Sequence, residues 1–239
     1  TLECGSGGSF RAMEIKTNDI IIRHLRIRNT AKEGIQVFGR FNIIIDHCSI
    51  SKTGDGAIDV NGGTHHVIVS RCLFAECTEA HRTYGIKTSF HHNLYIWCNR
   101  RQPKIYKAGP DFDFRNNLVR YWTNTGTNVQ VSDGVNIINN YYGPPAPGET
   151  WNTAFLTSGS KNLYTSGNYC EGMDVNPMGD LKTPNAEPSV VTQPAKDVPA
   201  DVLADCGAMP RDEIDRNYLE KQALKKAKSK KKIKKTADD

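Results

Sequence analysis

The chain has 239 residues, with 31 Lys or Arg against 26 Asp or Glu, a formal charge of +5. That surplus sits in residues 221–239, which hold nine Lys and two Asp; the rest of the chain is slightly acidic and lacks the basic surface of a nucleic-acid binder. No apolar run approaches the roughly 18 residues of a membrane-spanning helix, and the seven Cys contain no C-x-x-C pair, which argues against a zinc ribbon or a thioredoxin-like motif.

The chain opens on Thr1 almost inside a repeat, without a charged-then-apolar leader, as expected of a fragment or of a chain whose leader and first coils have been removed. Seven strand-like runs follow, at 20–27, 43–50, 67–74, 88–95, 112–119, 135–142 and 163–170. Each carries an Asn, Cys or Leu in register: Leu25, Cys48, Cys72, Asn93, Asn117, Asn140 and Asn168, at intervals of 23, 24, 21, 24, 23 and 28 residues. Runs rich in β-branched residues at that spacing, without helical periodicity, predict an all-β, right-handed parallel β-helix over 12–172, inside one elongated domain of residues 1–175. Polar, Gly-containing connections at 53–56 and 61–63 mark the turns of the coil.

Side chains 21 to 24 residues apart become neighbours in such a solenoid. Buried Asn at one repeated turn hydrogen-bond their counterparts above and below, which accounts for Asn93, Asn117 and Asn140 without a catalytic role. Cys48 and Cys72 share that position and stack about 4.8 Å apart; a ladder of free thiols is preferred to a disulfide, with Cys77 and Cys98 a weaker candidate bridge.

Glu33 and Asp55 lie one coil apart, each before a short strand pattern, and Asp59 falls on the side of Asp55 by the two-residue period. Three acids gathered on one sheet repel unless a cation joins them, and oxygen ligands without His or Cys favour a hard ion, Ca²⁺ before Mg²⁺; separate solvated acids are the alternative. Beyond Phe90-His91-His92-Asn93, whose histidines read as structural, comes the cationic cluster Asn99-Arg100-Arg101-Gln102-Pro103-Lys104 with Tyr106-Lys107. A positive rim beside a bound cation suits an acidic polysaccharide. Residues 143–148, with three Pro, read as an inserted loop. Residues 176–210 are Pro-rich and predict an extended strap along the solenoid. Residues 211–239 predict a short helix docked by Ile214, Tyr218 and Leu219, then a solvated Lys-rich tail dispensable after Glu220.

Four motifs in order, Ile44-Ile45-Asp46-His47-Cys48, Asp55-Gly56-Ala57-Ile58-Asp59, Phe90-His91-His92-Asn93 and Arg101-Gln102-Pro103-Lys104, resemble the pectate lyase family of extracellular parallel β-helix enzymes. Segments 202–208 and 210–215 resemble the C-terminal end of some bacterial members. The resemblance implies a secreted, monomeric polysaccharide lyase that cleaves polygalacturonate by Ca²⁺-dependent β-elimination. Glu33, Asp55 and Asp59 would hold the metal, Arg101 falls at the catalytic position, and Lys104 and Lys107 would bind the uronate carboxylate. Arginine normally stays protonated, so a base role calls for nearby cations or alkaline pH. Three positions depart from the pattern. Ala31 stands where members often carry a further acid; Tyr106 falls near a second arginine; and the usual lysine has no clean counterpart, leaving Arg82, with His81 beside it, as the substitute substrate contacts. Those departures favour a non-catalytic polysaccharide-binding β-helix or a depolymerase of another uronate polymer; intact Asp55, Asp59, Arg101 and Pro103 favour the lyase.

Overall fold

The structure is a computed structural model that describes residues 1–5, 8–149, 153–171, 175, 179–186 and 189–225. Each eight-residue run is two strands rather than one. The run 43–50 joins Phe41–Asp46 to Ser49–Thr53 through His47, whose φ of 48° lies in the left-handed region. His24, Arg71, His92, Asn116 and Asn139 repeat that conformation at φ 48–56°, and Gly167 does so at 66°. A left-handed residue costs a non-glycine about 1–2 kcal/mol, so something must hold each corner.

The residue after each corner supplies the hold. The Asn117 side-chain oxygen accepts from the Asn93 backbone N–H and amide at 3.0 Å each, while the Asn117 amide donates to the Phe90 carbonyl at 2.9 Å and to Asn140 Oδ1 at 3.0 Å. Asn140 and Asn168 continue the chain of bonds, and Cys72 N–H joins it by donating to Asn93 Oδ1 at 2.9 Å. Cys48 N–H donates to the Cys72 sulfur at 3.3 Å, so the ladder runs on into the thiols. All seven cysteines are free, Cys77 and Cys98 included.

Among the described residues, repeating the coil builds three parallel sheets. The first has eight strands and contains Arg26–Thr30, Ser49–Thr53, Leu73–Ala75, Leu94–Ile96 and Leu118–Arg120. The second has seven, among them Ile35–Phe38, Gly56–Asn61, Glu79–Thr83, Lys104–Tyr106 and Thr125–Gln130. The third also has seven, including Phe41–Asp46, His65–Ser70 and Ile86–His91. Inward residues of the three sheets form one continuous apolar core that runs from Ile15 to Cys170.

Segment 176–210 is not extended throughout. Asn185 exchanges hydrogen bonds with Asn136, and Gln193 with Asn116, but Ala195–Asp197 forms a 3₁₀ turn that leads into the α-helix Val198–Asp205, begun by Pro199. This helix packs with Tyr218 and Leu219 on the outer face of the first sheet. Ile214, expected to dock, is 45% exposed instead. The anchor is Asp215, fully buried, which takes Arg28 at 2.7 Å, Arg26 at 3.0 Å and the Ser49 hydroxyl at 3.0 Å. Packing runs on past Glu220, where the tail was expected to begin, because Ala223 is buried and the Lys225 carbonyl accepts from Arg120 and Tyr121. The Lys-rich remainder lies outside the described residues.

Asn117→Leu leaves the Asn93 N–H and the Phe90 carbonyl without side-chain partners in a dry corner. It should lower unfolding free energy by about 2–5 kcal/mol, read from the urea midpoint; an unchanged midpoint would remove the ladder from the account.

Candidate active site

In the second sheet alternate residues face out, and strand pairing brings Gln36, Asp59, Arg82, Lys104 and Asn128 into one row. Acid and base therefore stand side by side along the solenoid axis. A parallel row two residues on runs Phe38, Asn61, Tyr84 and Tyr106, with the two tyrosine rings 5.4 Å apart edge to face. Arg82 lies 5.7 Å from the Tyr84 ring, and Lys104 and Lys107 lie 5.0 and 5.3 Å from that of Tyr106. A groove of about 360 Å³ opens between Gln36, Phe38, Asn61 and Arg82. Burial, then the charges of Arg101 and Arg82, hold the Lys104 ammonium below its ordinary range.

The same alternation removes one expected contact. His81 pairs with Ile58 and points inward with it, fully buried among Phe74, Phe90 and Tyr95, its Nδ1 3.1 Å from the Ile58 carbonyl. Burial pushes its pKa down to about 3, so it is a neutral core residue and not a substrate contact.

Asp59 is 3% exposed, and its Oδ1 accepts from the Arg82 N–H at 3.1 Å. Gly56 makes room for it, since a Cβ there would stand 2.3 Å from that oxygen. Burial raises the Asp59 carboxyl to about 6; the Arg82 N–H and guanidinium oppose the shift, and the charges of Asp55 and Glu33 add to it. The three acids thus share one neighbourhood without closing on each other. Among the described residues no three acid, His or Cys side chains gather closely enough to hold a metal, because Glu33 pairs with Arg11 at 2.9 Å and Asp59 turns to Arg82. The donor chemistry fits a hard cation nonetheless: all ligands are oxygens, and a buried carboxyl among like charges is relieved by positive charge. Asp55 and Asp59 would hold it, joined by Glu33 on exchange of Arg11.

Arg101 sits at φ 62° one residue before the turn into Lys104–Tyr106. Its side chain is 23% exposed, and its Nη1 pairs with Glu79 Oε2; Glu79, only 4% exposed, also takes Arg100 at 2.7 Å on Oε1. Sequence reasoning passed over Glu79, and the signal that could have found it was a lone acid placed one coil before two consecutive arginines.

A family model described as "Right handed beta helix region" matches residues 5–109. A probable pectate lyase C of Aspergillus flavus is 32% identical over 183 residues, which cover 69% of this chain and 41% of the relative. A probable pectate lyase C of Emericella nidulans is 30% identical over 177 residues, covering 69% and 40%. Among solved structures, a Bacillus subtilis pectate lyase superposes with a TM-score of 0.62 at 18% identity, covering 87% of this chain and 65% of the other. A pectate lyase from a Bacillus species in complex with trigalacturonate gives 0.63 at 19%, covering 80% and 68%. The chain spans about two fifths of the length of the curated relatives it matches. Its coil register and these likenesses agree on a parallel β-helix, and the curated relatives that it resembles are probable pectate lyases.

Proposed function

We propose that this chain carries the catalytic face of a secreted, monomeric pectate lyase that cleaves polygalacturonate by Ca²⁺-dependent β-elimination. The observation that carries the reading is the row Asp59, Arg82 and Lys104 on the outer second sheet, with Arg101 one turn away. A Ca²⁺ held by Asp55, Asp59 and Glu33 would draw charge from the uronate carboxyl and make the adjacent C5 proton more acidic. Lys104 and Lys107 bind substrate carboxylates, Arg82 holds the chain beside Asp59, and Arg101 takes the C5 proton as the bond to O4 breaks. The aromatic row offers apolar faces on which sugar rings can lie. The test is the appearance of an ultraviolet-absorbing unsaturated product from polygalacturonate, abolished by a chelator and restored by Ca²⁺. Retention of the polymer without product would support the second reading, a polysaccharide-binding β-helix, which Ala31 and Tyr106 favour.

Arg101→Lys should cut turnover by several orders of magnitude while substrate binding survives, because the shorter amine cannot stand where the guanidinium does. Lys104→Ala should mainly raise KM, the mark of lost uniform binding. Steady-state kinetics separates the two, and near-normal turnover in Arg101→Lys would exclude it as the base.

Asp59 predicts a pH dependence of stability in chelated protein. Its folded pKa of about 6 lies above the ordinary 3.8 of an aspartate, so its contribution is fully present below about pH 4 and is lost as pH rises through 6. The loss amounts to about 3 kcal/mol. Urea midpoints of the parent and Asp59→Asn should therefore converge at low pH relative to pH 8, where the variant is the more stable of the two. A constant difference across that range would show that burial does not disfavour the Asp59 charge.

A further inference from the structure

We propose that Glu79 is the positioning residue for Arg101, a role that rests on the reading of Arg101 given above. Consecutive side chains on an extended chain point to opposite faces, yet Arg100 and Arg101 reach one carboxylate. The left-handed backbone at Arg101 breaks the alternation and turns both guanidinium groups the same way. Adjacent coils fix the two ends of this contact: Glu79 bridges to Arg100, the Ala80 N–H donates to the Arg100 carbonyl at 3.1 Å, and the His81 N–H donates to that of Arg101 at 2.9 Å. The carboxylate divides its oxygens, Oε1 to Arg100 and Oε2 to Arg101. Arg100, half exposed, thereby sets the rotamer of buried Glu79, and Glu79 in turn sets the place of the Arg101 guanidinium. Charge makes the contact necessary. Arg82, Arg100, Arg101 and Lys104 crowd the region, and without Glu79 their mutual repulsion would splay Arg101 away from the row.

Displacement of a reacting group by about 1 Å costs on the order of 100-fold in rate. Glu79→Gln should therefore lower kcat on polygalacturonate about 10- to 100-fold with KM within about twofold. Independently of turnover, an arginine-selective dicarbonyl followed by peptide mapping should modify Arg101 several-fold faster in the variant than in the parent chain. Equal labelling rates, or faster labelling with unchanged kcat, would overturn the proposal. A parent chain that makes no unsaturated product would sink the lyase reading instead, and the labelling comparison would still decide whether Glu79 holds Arg101. If Glu79→Gln fails to fold, as read by its melting transition, Glu79→Asp keeps the charge on a shorter reach and is judged by the same two readouts.

Discussion

Main-chain hydrogen bonds between equivalent positions of successive coils are the constraint on which this molecule depends. Parallel pairing at an offset near 23 residues turns any position of the repeat into a row along the axis. Rows that face inward make the apolar core. Rows at the corner between the third and first sheets must accept left-handed backbone, and the Asn and Cys ladder offsets that cost by pairing the N–H and carbonyl groups that the turn would leave dry. The ladder is thus the condition for stacking rather than an ornament of it. Where Asn gives way to Cys the bond to sulfur is longer and weaker, so the ladder grades from firm to soft toward the N-terminal coils.

Stacking also explains how one sheet face comes to hold acids and bases in contact. Asp59 and Arg82 are neighbours because pairing places them so, and each moderates the cost of burying the other. The acids Glu33, Asp55 and Asp59 lie close enough to feel one another's charge, but Arg11 and Arg82 now supply the positive charge that a cation would bring. Glu79 performs the corresponding service for the arginines one coil further on. The candidate cleft is in this sense a chain of compensated charges, each link set by the coil spacing.

The C-terminal segment belongs to the same account. The outer face of the first sheet is apolar at Leu73, Leu94 and Leu118 and charged at Arg26 and Arg28, and the returning helices cover both parts. Asp215 is fully buried with both carboxylate oxygens paired, to two arginines and a hydroxyl, a contact that fixes the position of the segment more than it adds to net stability.

The repeat was legible in the sequence because the corner residues recur at coil spacing and carry their own hydrogen-bonding chemistry; Asn93, Asn117 and Asn140 could be assigned to a ladder from spacing alone. Coil spacing likewise put Glu33, Asp55 and Asp59 in one neighbourhood, though not the row through Arg82 and Lys104. What spacing could not decide was orientation and partnership. His81 and Arg82 are adjacent letters, yet one is core and the other lines the cleft, and only the register with Ile58 and Asp59 separates them. Ile214 looked like an anchor, whereas the anchor is Asp215, whose partners lie nearly 190 positions away in sequence. Glu79 gains its partners only where the left-handed turn at Arg101 brings two guanidinium groups onto it. Period and chemistry belong to the chain itself, because they repeat locally; which face a side chain takes, and which distant charge neutralises it, are settled only when the coils stack and the C-terminal segment returns across them.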